Sequence, residues 1–182
     1  MRGRVARTAR AFVVSAGLVF VASACVRTPV SPPIRLPEGP VAFRARGLDG
    51  AVVSVGQLRG RPVVITFVAT WADDALVEVR RRDALVARYG EAIASRLVVL
   101  DEVPAAVDVF VSSFRPRSEV WRLEGPEVLS GRGAPFGEIT MVPTTIVLAA
   151  DGRIAFRYDG VAPPSLLEAG IDQLLARDPS TR

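Results

Sequence analysis

The chain has 182 residues, 49% of them hydrophobic, enough for one domain with its own core and too apolar for a disordered or acidic-tail protein. All 23 basic residues are arginine; histidine, lysine and asparagine are absent, and there is a single cysteine. That inventory leaves no imidazole base or His-ligated metal, no lysine Schiff base and, Cys25 aside, no thiol nucleophile.

Arg2, Arg4, Arg7 and Arg10 precede the apolar stretch 11–21, which runs into Ala22-Ser23-Ala24-Cys25. Basic, apolar and small-residue segments in that order predict an export signal, and the apolar part is shorter than the ~20 residues that span a bilayer. Small residues before the lone cysteine resemble a bacterial lipobox. The resemblance implies a signal over 1–24 and a mature chain that starts at a lipidated Cys25; a cleaved secretory signal with an unmodified Cys25 is the alternative. The formal net charge is +4, and the signal holds four arginines and no acid. The remainder is therefore near neutral, which gives no basis for a nucleic-acid partner. Residues 25–40 hold five prolines and little that can pack, so they predict a semi-rigid tether.

From residue 41 onward strand-like and helix-like pieces alternate. "VAFRARGLDGAVVSV" has an Asp49-Gly50 turn between two extended runs and predicts a hairpin. "RPVVITFVA" is apolar or β-branched almost throughout and predicts a central strand buried on both faces. Residues 72–89 carry an apolar helical stripe at Ala75, Leu76, Val79, Val86 and Tyr89, with Arg80-Arg81-Arg82-Asp83 expected on the solvated face. "RLVVL" predicts a second buried strand, and Pro104 opens a helix to about Phe114. After an irregular glycine-rich stretch, "TTIVLAADGRIAFRYD" reads as strand, Asp151-Gly152 turn and returning strand. Pro164-Ser165 then opens an amphipathic helix to about Arg177. Early parallel crossovers with a late antiparallel hairpin predict an α/β fold: a mixed central sheet with helices on both faces and an N-terminal β-hairpin.

Two stretches of this pattern, "LDGAVVSVGQLRGRPVVITFVATW" and "FGEITMVPTTIVLAADGRI", resemble the thioredoxin superfamily, and within it the TlpA/ResA-like envelope thiol-disulfide oxidoreductases. The resemblance covers 41–177, within a thioredoxin-like domain expected over 41–182. It implies a cis-proline loop at Val142, Pro143 and Thr144, and it places the family's Trp-Cys-x-x-Cys motif on Trp71-Ala72-Asp73-Asp74-Ala75. It also sets Glu78 where many members of this branch carry a carboxylate on the active-site helix, while Arg80 stands where a proline often bends that helix.

The family's chemistry is attack by a thiolate on a disulfide sulfur, and an alanine methyl at 72 or 75 cannot supply it. Asp73 and Asp74 have two readings: first-turn carboxylates that suit the helix dipole, with Thr70 as a possible cap, or an acidic ligand site facing the cis-proline loop. Glu78 reads as a relic of the family's helix carboxylate or a structural acid rather than a catalyst. No loop presents the spaced oxygen ligands of a calcium site, and nothing calls for a metal or another cofactor. The expected function is thus a membrane-tethered, redox-inactive lipoprotein facing the periplasmic or extracytoplasmic side of a bacterial envelope. It would bind a protein or peptide partner through Trp71 and the Met141–Thr144 loop. The alternative is a thiol-disulfide oxidoreductase that works with a partner's cysteines.

Overall fold

Alternating exposure in Arg44–Gly47 (β1) and the Asp49-Gly50 turn produce the expected hairpin: β1 pairs antiparallel with Val52–Ser54 (β2). Gly50 has φ +82°, a conformation cheap only for glycine, and Asp49 Oδ1 accepts the Ala51 N–H at 3.0 Å. A 3-10 turn, Val55–Leu58, follows at once, closed by a reciprocal cap between Ser54 and Gln57. The computed structural model describes residues 36–101, 103–123, 129–130 and 134–177, all within one compact unit, Pro33–Arg182. The expected signal, Cys25 and most of the tether lie outside the described residues.

Val63–Val68 (β3) is buried at every position and sits deep in the sheet. It is followed by Ala75–Tyr89 (α1), Ala94–Val99 (β4), Pro104–Phe114 (α2), Glu119–Leu123 (β5), Thr144–Leu148 (β6), Ile154–Asp159 (β7) and Pro164–Arg177 (α3). The seven strands lie in the order β2-β1-β5-β4-β3-β6-β7. β3 pairs in parallel with β4, and β4 with β5; every other neighbouring pair is antiparallel, so the sheet is mixed as the alternation of elements predicts. β5 falls where the sequence reading has only an irregular stretch. Its Val120, Trp121 and Leu123 were the available signal, and it is the strand that joins the hairpin to the parallel core.

Side chains alternate across β3, and the two faces are covered differently. Val63, Ile65 and Phe67 face a layer of Phe43, Val55, Trp121, Phe136 and Ile139, with Phe43, Phe67 and Phe136 meeting edge to face at 5.0–6.1 Å between centroids. Val64 and Val68 face the α-helices: Ala75 and Val79 of α1 with Val107 and Phe110 of α2, and Leu85 of α1 with Leu167 and Ile171 of α3. Where the sequence reading expects helices on both faces, the described α-helices share one, because the crossovers β3-α1-β4 and β4-α2-β5 run in the same direction across the sheet. Among the described residues all three α-helices lie against one face, and the 3-10 turn with irregular segments covers the other.

α1 departs from its sequence reading in two ways. It begins at Ala75, not 72, so Asp73 and Asp74 precede it. Arg82, expected on the solvated face, is fully buried together with Glu78, whereas Leu76 from the expected apolar stripe is 41% exposed. A run of three arginines must turn through three directions on a helix at 100° per residue, and the third points inward here.

Candidate functional site

β3 and β6 are antiparallel neighbours in a register that sets Phe67 opposite Thr144. The turn after β3, which carries Trp71 to Ala75, and the loop before β6, which carries Val142 and Pro143, therefore emerge at the same end of the sheet on adjacent strands. The Val142–Pro143 peptide bond is cis, as the resemblance implies.

On the helix side Trp71 is 76% exposed, Ala72 is half-buried, Asp73 and Asp74 are exposed, and Ala75 is buried. The backbone closes two tight turns, Ala72 N–H to Ala69 O at 3.1 Å and Ala75 N–H to Ala72 O at 3.0 Å. Asp74 occupies the N-cap position in a helical conformation, φ −81° and ψ −6°, and its side chain makes no capping bond. Thr70 is not the cap either. Its N–H and hydroxyl both donate to the carboxylate of Asp101, at 2.7 and 2.5 Å, which ties the end of β3 to the residue just beyond β4. Asp101 was missed in the sequence reading; its only signal is its place at the end of a buried strand parallel to β3.

One turn into α1 lies a second feature. Glu78 and Arg82 are both fully buried, Arg82 Nη2 stands 3.4 Å from Glu78 Oε2, and Arg81 reaches Glu78 Oε1 at 3.6 Å. Neither side chain of the pair has a hydrogen bond from its charged atoms in this structure. Burial raises the Glu78 pKa against the opposing pull of Arg82 and Arg81, and burial lowers that of Arg82 to about 10. Arginines at i+3 and i+4 thus flank the Glu78 carboxylate along α1.

The loop side is denser in side-chain bonds. Thr144 donates its hydroxyl to Met141 O at 2.8 Å and reaches Asp159 Oδ1 at 3.0 Å. Arg157, whose side chain is 4% exposed, donates to Asp159 Oδ1 at 2.9 Å, Phe136 O at 3.1 Å and Glu138 O at 2.7 Å. Gly160 N–H closes onto Pro143 O at 2.7 Å. Pro143 is buried, Val142 packs on the core, and Met141 is 51% exposed. Arg157 and Asp159 were also missed, because charged residues on an edge strand read as solvated.

Trp71 and Met141 are therefore the exposed apolar groups of the two sides, with Asp73 and Asp74 beside Trp71. The described residues contain no cluster of three or more Asp, Glu, His or Cys side chains that could hold a metal ion, and no helix among them is long and apolar enough to cross a membrane. Among the described residues no third acidic, histidine or cysteine side chain joins Asp73 and Asp74 in such a cluster.

No protein-family model and no curated protein matches the sequence. Solved structures do match the fold. A thiol:disulfide interchange protein of the thioredoxin family from Chlorobium tepidum superposes with a TM-score of 0.63 at 20% identity, covering 79% of this chain and 99% of that one. The exposed lipoprotein thioredoxin of Streptococcus pneumoniae gives 0.62 at 16% identity, over 72% of this chain and 98% of that one. A secreted Mycobacterium tuberculosis disulfide oxidoreductase homologous to Escherichia coli DsbE gives 0.57 at 18% identity, over 72% and 95%. The chain has the thioredoxin-like fold, with alanine at both positions where the resemblance aligns cysteine.

Proposed function

We propose that this protein is a thioredoxin-fold binding module of the bacterial envelope without redox chemistry of its own, tethered through a lipidated Cys25 and engaging a protein or peptide partner. The observation that carries the reading is the contrast at one sheet end: alanines at 72 and 75, beside the segment 136–144, in which Thr144 bonds Met141 O and Arg157 bonds Phe136 O and Glu138 O, both side chains meeting at Asp159. Disulfide exchange needs a thiolate, and the domain beyond Cys25 has none. Binding needs only surface, and Trp71 and Met141 supply exposed apolar area next to the fixed backbone of the cis-proline loop. The envelope location rests on the N-terminal sequence and on neighbours described as secreted or as an exposed lipoprotein.

The second reading, an oxidoreductase that works with a partner's cysteines, is favoured by the activities named for the structural neighbours. A disulfide-reductase assay on the purified protein separates the two. No turnover above background is expected; turnover without an added thiol protein overturns the binding-module reading. A photo-crosslinker at Trp71 in the tethered protein should then capture a defined envelope protein, and capture lost in a Met141→Asp variant would place the contact at both sides of the site. Mass spectrometry of the mature N-terminus tests the anchor: an unmodified Cys25 thiol removes the tether from the proposal.

A further inference from the structure

Between the first turns of α1 and the start of α3 runs a cleft of about 490 Å³, on the outer side of α1 and built without Trp71 or the cis-proline loop. Its walls are mainly Leu76, Val77 and Leu85 from α1 with Pro164 and Leu167 from α3. Leu76 and Val77 are 41% and 42% exposed along it, which leaves adjacent aliphatic area open to solvent in the cleft. A volume in this range, apolar walls and a few placed charges are the composition of small-molecule sites.

The charges on the α1 wall do not cancel. Arg80 has Asp83 at 3.5 Å, but Arg81 and Arg82 share the one carboxylate of Glu78. On the opposite wall Glu168 is taken up by Arg88 at 3.5 Å. Arg81 is partly exposed and has also donated to Ala162 O at 2.7 Å; Arg82 lies behind it with Nε, Nη1 and Nη2 all buried and without a hydrogen-bond acceptor. A buried guanidinium with donors unused is costly, and an acceptor oxygen brought in from the cleft relieves that cost. One uncompensated positive charge suits one negative charge, and the planar fork of an arginine suits a carboxylate.

We propose that the α1–α3 cleft binds an amphiphile with a long apolar tail and a single carboxylate, the tail between Leu76–Val77 and Leu167 and the carboxylate drawn to Arg81 and Arg82. A bilayer surface of anionic lipid is disfavoured as the occupant, because Asp172 on α3 outside the cleft and Asp73 and Asp74 before α1 are exposed acids flanking it. The proposal is independent of the partner-binding function above.

The test uses decanoate below its micelle-forming concentration, titrated into the purified protein and followed by amide NMR shifts and calorimetry, with decanol as the uncharged control. Saturable one-to-one binding of decanoate is expected, at least tenfold tighter than decanol, with shifts confined to α1 and α3. Ala84→Trp, a change at an exposed lining position that fills the cleft from outside, should abolish it. Arg81→Gln, and separately Glu78→Leu with Arg82→Met, should erase the preference for decanoate over decanol; the first keeps the test decisive if the second fails to fold. No saturable binding, equal affinity for decanol, or binding unaffected by Ala84→Trp overturns the proposal.

Discussion

From Trp71 to Ala75 the chain is held by its own backbone turns, whereas from Phe136 to Thr144 it is held by the side chains of Thr144, Arg157 and Asp159. The two segments meet at one end of the sheet, and in a thioredoxin fold one of them would supply reactive sulfur and the other a docking surface. Here the first has neither sulfur nor a side-chain cap, and the second keeps a network of charge-assisted bonds. Chemistry can be deleted by two substitutions without touching the scaffold, but a docking loop must be built and maintained by residues elsewhere. What remains ordered by side chains is therefore the better guide to present function.

The strongest challenge to this contrast lies one turn further along α1, where the helix side does hold a demanding pair. Glu78→Ala should cost about 3–5 kcal/mol because Arg82 is left as a buried unpaired charge, and Arg82→Ala should cost less because Glu78 keeps Arg81 at 3.6 Å. Replacing both, Glu78→Leu with Arg82→Met, should be close to neutral or stabilising by up to about 4 kcal/mol. Chemical unfolding of the four proteins measures these differences. pH sharpens it: burial raises the Glu78 pKa above the ordinary 4.5, so the folded state holds that proton more tightly than the unfolded chain does. This group's contribution is present at low pH and lost as pH rises through the raised value. The double variant's margin over wild type should thus widen as pH rises from about 4.5. A margin that narrows instead would mean that the pair stabilises the fold as a charged unit.

The loop side is tested by Arg157→Met. Hydrogen bonds to a charged group are worth about 1.5–3 kcal/mol each when buried, and Arg157 makes bonds to Asp159, Phe136 O and Glu138 O. A loss of at least about 3 kcal/mol in stability is expected, with hydrogen exchange accelerated in 136–144 and not in α1. Crosslinking from Trp71 should weaken as the loop loosens. If the loop stays protected while partner capture is unchanged, side-chain bracing is not what preserves the docking surface.

How much of this was legible in the sequence depends on the kind of signal. β3, the hairpin turns and the cis-proline loop are written in local pattern: a fully apolar β-branched run, Asp-Gly at 49–50 and 151–152, and Val-Pro-Thr-Thr at 142–145. The start of α1 was read three residues early because alanine and aspartate at 72–74 are compatible with a helix, and only the turn bonds Ala72 N–H to Ala69 O and Ala75 N–H to Ala72 O decide against it. The burial of Arg82 and the clamp of Arg157 were not legible at all. Charge in a sequence reads as solvent, and the partners that draw these two inward come from Glu78 a turn away and from carbonyls 19 to 21 residues distant.

Restoring sulfur probes the helix side directly. Ala72 and Ala75 are the ends of an i to i+3 turn, which brings their Cα atoms within about 7 Å, inside or close to the span of a disulfide. Ala72→Cys with Ala75→Cys should therefore form a bridge on oxidation, and so short a loop should gain at most about 2 kcal/mol. Mass spectrometry before and after alkylation reads the outcome. Thiols that stay free under oxidising conditions would show that these alanines are not where the family's cysteines sit.

The smallest effect belongs to Asp73 and Asp74, and it separates the two readings of these acids. Both are exposed, Asp74 makes no capping bond, and the helix starts after them, so their favourable term with the helix dipole is at the weak end of about 0.3–1 kcal/mol each. Asp73→Asn with Asp74→Asn should then change stability by no more than about 1 kcal/mol, and less at high salt. On the restored-cysteine background the same change should do more to chemistry than to stability. Two carboxylates between the sulfurs oppose thiolate formation, so neutralising them should lower the thiol pKa and raise the rate of alkylation at neutral pH. Partner capture at Trp71 decides what the acids are for. Unchanged capture by Asp73→Asn with Asp74→Asn leaves them as helix-end charges, while a loss of capture that salt reproduces in the wild type makes them part of the docking surface, recognising a basic group on the partner.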